Sequence, residues 1–155
     1  MFHLKAGDKA PDFNITDQYG KVHNIADYKG KKVILYFYPK DMTPGCTIES
    51  CDLRDNYSVL KKRGFEVIGI SADTEKRHQN FIKKYDLPFN LLADTEKKVL
   101  NRYGVWGEKK FMGRTFDGIH RTTFIIDENG VIEKIINKVK TKDHTQQILA
   151  ELENS

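Results

Sequence analysis

The chain has 155 residues, 39% of them hydrophobic, with 26 Lys and Arg, 22 Asp and Glu, and two cysteines. That length supports one folded domain over residues 1–155, burying about 68–70% of its unfolded surface, so no metal or disulfide staple is needed to fold it. The formal charge of +4 is interleaved, and the basic clusters Lys29 to Lys32, Lys61 to Arg63 and Lys109-Lys110 read as solvated surface rather than a nucleic-acid contact. No run approaches the ~20 apolar residues of a membrane span. Residues 1–20 carry Asp8, Asp12 and Asp17 in place of a signal-peptide core. The expected compartment is the cytoplasm, where paired cysteines are more often catalytic or redox-sensing than structural.

In chain order, the first thirty residues are turn-rich. Pro11-Asp12-Phe13 and Tyr19-Gly20-Lys21 suggest a short extended pair with its turn at Gly20. Val33 to Tyr38 carries no charge, which predicts a strand covered on both faces. A loop over Pro39 to Pro44 leads into a helix over Pro44 to Arg63, with Thr43 as N-cap, Pro44 at the first helical position and Gly64 as the stop. Glu66 to Ser71 reads as a strand, Thr74 to Tyr85 as a helix, Phe89 to Leu92 as a strand and Thr95 to Tyr103 as a helix.

The next stretch is polar and punctuated by glycine, and no element is assigned to it. Thr122 to Asp127 and Val131 to Asn137 flank Asn129-Gly130, a strong hairpin signal, and a closing helix runs from Asp143 to Leu152. Strands alternating with helices, closed by a hairpin and a helix, describe an α/β fold with a central sheet flanked by helices.

The cysteines sit on the long helix. Cys46 lies in its first turn, where unpaired backbone N–H groups and the helix dipole stabilise negative charge. Free cysteine titrates near pH ~8.5, and such positions lower that to roughly 7 or below, raising the fraction of nucleophilic thiolate. On a helical wheel Cys46, Ser50, Leu53, Tyr57 and Leu60 share the face that packs on the sheet, while Cys51 lies about 140° round. Five helical steps hold the two Cα atoms ~8–9 Å apart, beyond the roughly 4.4–6.8 Å a disulfide spans. If the two bond, the helix must first unwind.

Four readings stay open on the residues alone: a structural disulfide, a zinc pair, two inert core cysteines, and a reactive thiol with a resolving partner. Helix geometry opposes the first, and the lack of a third nearby ligand opposes the second. The absence of a Cys-x-x-Cys also argues against a thioredoxin-type reductase. His120 and the other histidines read as structural or exposed, and Trp106 as core.

The segment from Phe37 to Asp55, containing Pro39-Lys40-Asp41-Met42-Thr43-Pro44-Gly45-Cys46 and Cys51, resembles the peroxiredoxins of the Q-type, or bacterioferritin comigratory, branch. Gly69-Ile70-Ser71-Ala72-Asp73, Tyr103-Gly104-Val105-Trp106 and Arg121 to Asp127 extend the resemblance over nearly the whole chain. The resemblance implies a thioredoxin-like fold and reduction of hydrogen peroxide or organic hydroperoxides, with no bound metal or organic cofactor. It casts Cys46 as the peroxidatic and Cys51 as the resolving cysteine, joined in a disulfide that thioredoxin or glutaredoxin reduces. Pro39, Thr43 and Arg121 match the family's active-site positions, and the branch is often monomeric. Gly45 and the polar pair Glu49-Ser50 read as weakening the helix, which would ease its opening.

Overall fold

The uncharged run from Val33 to Tyr38 forms the middle of the molecule, and every one of its residues is buried. The computed structural model describes residues 3–153. Its elements in chain order are β1 (Ile15–Thr16), β2 (Val22–His23), β3 (Lys32–Phe37), α1 (Pro44–Asp55), α2 (Tyr57–Lys62), β4 (Phe65–Ser71) and α3 (Glu75–Tyr85). There follow β5 (Asn90–Ala93), α4 (Lys98–Arg102), β6 (Trp106–Phe111), β7 (Arg114–Ile119), β8 (Thr122–Ile126), β9 (Ile132–Ile136) and α5 (His144–Glu153).

Five strands form one mixed sheet in the order β5-β4-β3-β8-β9. β3 pairs parallel to β4 and antiparallel to β8, so it stands at the centre with neighbours on both sides. Because side chains alternate across a strand, its residues divide between two cores. Val33, Leu35 and Phe37 pack with Phe13, Leu100, Tyr103 and Phe124. Ile34, Tyr36 and Tyr38 pack on the other face with Cys46 and Leu53 of α1, Leu60 of α2, Phe81 of α3 and Ile148 of α5. Both faces are covered, as the uncharged run required.

Two expectations are corrected. The helix expected over Pro44 to Arg63 is two helices: at Asn56 (φ −109°, ψ 9°) the chain leaves the helical track. The Asn56 side-chain Nδ2 donates to the Asp52 carbonyl at 2.8 Å, the local bond by which Asn competes with a helix ladder. Leu53 and Leu60 still share one core, so the stripe survives the break. Gly64 does follow α2 in the left-handed region, at φ +87°.

The polar stretch to which no element was assigned is the β6–β7 hairpin, with Trp106 opposite Ile119 and Phe111 opposite Arg114. Its residues are mostly exposed, so no apolar alternation marks it. Its turn is Met112-Gly113, both at positive φ, and the methionine stands where Asn or Asp usually announces such a turn.

The remaining elements shift by a residue or a few from their expected bounds. Among the described residues no helix is long and apolar enough to cross a membrane.

Candidate active site

α1 begins directly beyond the carboxyl end of β3. Thr43 takes the N-cap position with extended backbone (φ −80°, ψ 151°), and Pro44 opens the helix. The Thr43 hydroxyl does not cap: it donates to the Lys40 carbonyl at 2.7 Å. Its proton thus points back into the loop and leaves its lone pairs free. Among the described residues no side chain caps the first turn, and Cys46 sits there, 1% exposed. The first-turn amides and the helix dipole favour negative charge at this point.

Arg121, in the link between β7 and β8, supplies the matching cation. Its Nη2 donates to Cys46 Sγ at 3.3 Å, and its Nη1 donates to Glu49 Oε1 at 2.6 Å. Glu49 is fully buried on α1, and Arg121 is 22% exposed at the side chain. One guanidinium fork thus holds the sulfur with one prong and a buried carboxyl with the other, a use for which planar Arg suits and Lys does not. Burial pushes Glu49 up to about 7, against the pull of Arg121.

Lys109 adds a second positive charge. Its Nζ donates to the Ile119 carbonyl at 2.8 Å, and it is pulled below the usual lysine range by burial first and by the charge of Arg121 next.

The loop between β3 and α1 is pinned from beneath. The Asp41 amide donates to Asp73 Oδ2 at 2.8 Å, the Tyr38 hydroxyl donates to Asp41 Oδ1 at 2.5 Å, and Asp41 Oδ2 lies 2.7 Å from His78 Nδ1. His78 Nε2 faces the Leu92 carbonyl at 2.9 Å and so must be the donor there. Arg77 and Ser71 donate to Asp73. Asp41, Asp73 and His78 bring ligand-type atoms within 4.8 Å of one another. Those atoms are already engaged with protein groups, so the cluster serves as a brace for the loop. Met42 in this loop holds φ +68° and is exposed.

Cys51 lies on the same unbroken helix as Cys46, half-buried, and both are free thiols. Burial pushes the Cys51 thiol up, with Asp55 adding to the effect and Arg54 opposing it. Two cysteines on one helix therefore occupy unlike surroundings. One sits in the first turn against a guanidinium; the other sits mid-helix.

The model of the AhpC/TSA family matches residues 6–135. The chain belongs to that family. Within it, the chain is 50% identical over 149 residues to the peroxiredoxin Bcp of Escherichia coli strain K12, covering 96% of each chain. It is 44% identical over 151 residues to the peroxiredoxin Bcp of Bacillus subtilis, covering 97% of this chain and 96% of that one.

Among solved structures, peroxiredoxin Q of Xanthomonas campestris superposes with a TM-score of 0.87 at 31% identity, over 96% of this chain and 97% of that one. A Cys-to-Ser mutant of PrxQ from Xylella fastidiosa superposes with a TM-score of 0.92 at 26% identity, over 99% and 98%. The chain is a peroxiredoxin of the Bcp and Q branch, its mixed sheet with flanking helices is the thioredoxin-like fold, and its activity is that of a thiol peroxidase.

Of the residues singled out in the sequence, the structure brings Cys46 and Arg121 into direct contact. Thr43 is placed at the mouth of the same helix, Pro39 at the start of its loop, and Cys51 further along it. Glu49 escaped that reading, although the stripe arithmetic held the signal: a carboxylate one turn after Cys46 faces inward and needs a cation. His144, read as structural or exposed, is buried 3.5 Å from Glu49. Gly45 is more than a weak point of the helix, since a Cβ there would stand 3.2 Å from Arg121 Nη2.

Proposed function

We propose that Cys46 is the peroxidatic cysteine of this thiol peroxidase, and that the contact between its sulfur and Arg121 carries the chemistry. The thiolate attacks the nearer oxygen of a hydroperoxide. The O–O bond breaks, an S–O bond forms, and the departing oxygen takes a proton to leave as water or an alcohol. The sulfur is oxidised to a sulfenic acid. Charge develops on the departing oxygen, and preorganised donors aimed there lower the barrier most; one such donor is worth about 2.7–4 kcal/mol. Arg121 and the first-turn amides of α1 are those donors. Thr43, its own proton committed to Lys40, accepts from the hydroperoxide O–H, and Pro39 stiffens the loop that screens the sulfur from water.

Cys51 then resolves the intermediate. Its sulfur displaces hydroxide from the Cys46 sulfenic acid, giving a disulfide and water, and an external dithiol returns both thiols by exchange. This step needs α1 to unwind, since an intact helix keeps the sulfurs apart. The donor we assign is thioredoxin, with glutaredoxin as the alternative, and the working form a monomer in the cytoplasm, with residues 1–155 acting as one domain. The intact α1 supports the reading that this is the reduced, wound state.

The test is peroxide consumption coupled to NADPH through thioredoxin and its reductase. Cys46→Ser abolishes it, and retained turnover would end this account. Cys51→Ser permits a single stoichiometric oxidation and blocks recycling. Replacing thioredoxin by glutaredoxin and glutathione in the same assay decides between the donors.

A further inference from the structure

Glu49 leaves one oxygen unaccounted for. Its Oε1 accepts from Arg121, but the buried Oε2 makes no hydrogen bond among the described residues. Facing it at 3.5 Å is Nε2 of His144, the first residue of α5, itself fully buried. A buried acceptor without a donor is costly.

The tautomer of His144 follows from its neighbours. Gln147 donates its Nε2 to the Lys138 carbonyl at 2.8 Å and accepts the Lys140 amide on its Oε1 at 2.9 Å, so its amide has one orientation. His144 Nδ1, 3.0 Å from that same Oε1, must carry the proton. In the neutral ring Nε2 then carries one lone pair, turned between the Thr123 hydroxyl, which donates to it at 2.8 Å, and Glu49 Oε2 at 3.5 Å, so a proton on Glu49 shares that acceptor with Thr123. A carboxylate oxygen and an imidazole lone pair at this distance repel each other unless a proton lies between them.

We propose that Glu49 Oε2 carries that proton toward His144 Nε2, making His144 a positioning residue that keeps the carboxyl neutral and leaves the charge of Arg121 to Cys46. A neutral Glu49 still accepts from Arg121 through Oε1, so the fork stays aimed. An ionised Glu49 claims the guanidinium as its own counter-ion and sets a second negative charge beside the sulfur.

The charged and titratable groups around the pair are Arg121 from the β7–β8 link, Asp52 from α1 and Tyr36 from β3, with Cys46 on the other prong of Arg121; Lys109 of β6 acts on Arg121 and Cys46. Asp52 is occupied, accepting from the Thr145 amide and hydroxyl at 2.7 and 2.8 Å. Tyr36 is bonded to Ser50 at 2.9 Å. Neither competes for the proton. Burial raises Glu49 to about 7 and, acting first on His144, lowers it to about 4, which agrees with a proton on the carboxyl and a neutral ring.

The inference rests on Cys46 being the reacting thiol, yet one of its readouts does not involve turnover. Infrared difference spectra of the reduced wild-type protein against Glu49→Gln should show a buried protonated-carboxyl band at about pH 6 that fades by about pH 8. Its absence at the lower pH overturns the proposal, whatever the fate of the peroxidase reading.

The second readout is the rate of Cys46 with hydrogen peroxide from about pH 5 to about pH 9. Relative to wild type, Glu49→Gln should gain about threefold or more between about pH 6 and about pH 8, because it cannot ionise. His144→Phe should move the wild-type downturn about one pH unit toward acid, and Glu49→Gln should cancel that shift in the double variant. Parallel profiles for wild type and Glu49→Gln, or a His144→Phe effect that persists in the Glu49→Gln background, would leave His144 a packing residue. Should His144→Phe fail to fold, the band in the wild-type protein still decides.

Discussion

Arg121 occupies the space that a side chain at position 45 would need. An added Cβ would meet its Nη2 at 3.2 Å and its Cζ at 4.0 Å, while the guanidinium is already held at 3.3 Å by Cys46 and at 2.6 Å by Glu49. Glycine is therefore required for close approach, although it costs helix propensity relative to alanine. Gly45→Ala should displace the fork by a few tenths of an ångström. Misplacement of about 1 Å can cost a hundredfold in rate, so a loss of roughly tenfold is expected here. Thermal stability should hold or rise slightly, because alanine favours the helix. Stopped-flow oxidation of Cys46 beside a melting curve checks this. A rate equal to that of wild type would mean that the fork moves aside at no cost.

At the scale of elements, α1 is held at both ends by different means. Its first turn is fixed through Arg121. Its second half is tied to α5, where Asp52 Oδ2 accepts from the Thr145 amide at 2.7 Å and hydroxyl at 2.8 Å, so a carboxylate on one helix does the work of an N-terminal cap on another. The uncharged run Val33 to Tyr38 at the heart of β3, the Thr43-Pro44 start and the Cys46–Leu60 stripe were all legible in the sequence, because each follows from local pattern. The α1–α2 break, the exposed β6–β7 hairpin and the pairs Glu49–Arg121 and Asp52–Thr145 were not. The break turns on a single side-chain bond of Asn56, and each pair joins residues more than seventy positions apart that no periodicity connects. Thr145→Val removes one bond of the clasp while keeping the charge of Asp52. It should cost about 1–2 kcal/mol of stability. It should also speed closure of the Cys46–Cys51 disulfide, visible as less sulfinic acid at a given peroxide dose. An undiminished sulfinic fraction would show that α1 opens from its first turn alone.

For the molecule as a whole, the sheet divides the interior into two layers that the proposed Cys46–Cys51 disulfide cycle would treat unequally. Cys46 and Leu53 of α1 and Leu60 of α2 all belong to the layer that also holds Ile34, Tyr36, Phe81 and Ile148. The other layer, with Phe13, Leu35, Leu100, Tyr103 and Phe124, takes nothing from α1 among the described residues. Unwinding α1 to join Cys46 and Cys51 would therefore strip one layer and leave the other whole. Local opening of this kind is the general behaviour of cooperative units in native proteins. Oxidation should lower the melting temperature, since the buried contacts of Cys46 and Leu53 and the Arg121–Glu49 pair are lost together. Amide hydrogen exchange locates the change. In the disulfide form, residues 44–55 and the start of α5 should lose protection, while β3, β4 and β8 keep theirs. Loss of protection across the central strands would instead mean that the two layers unfold as one. α1 would then be a part of the global fold rather than a segment that can open alone.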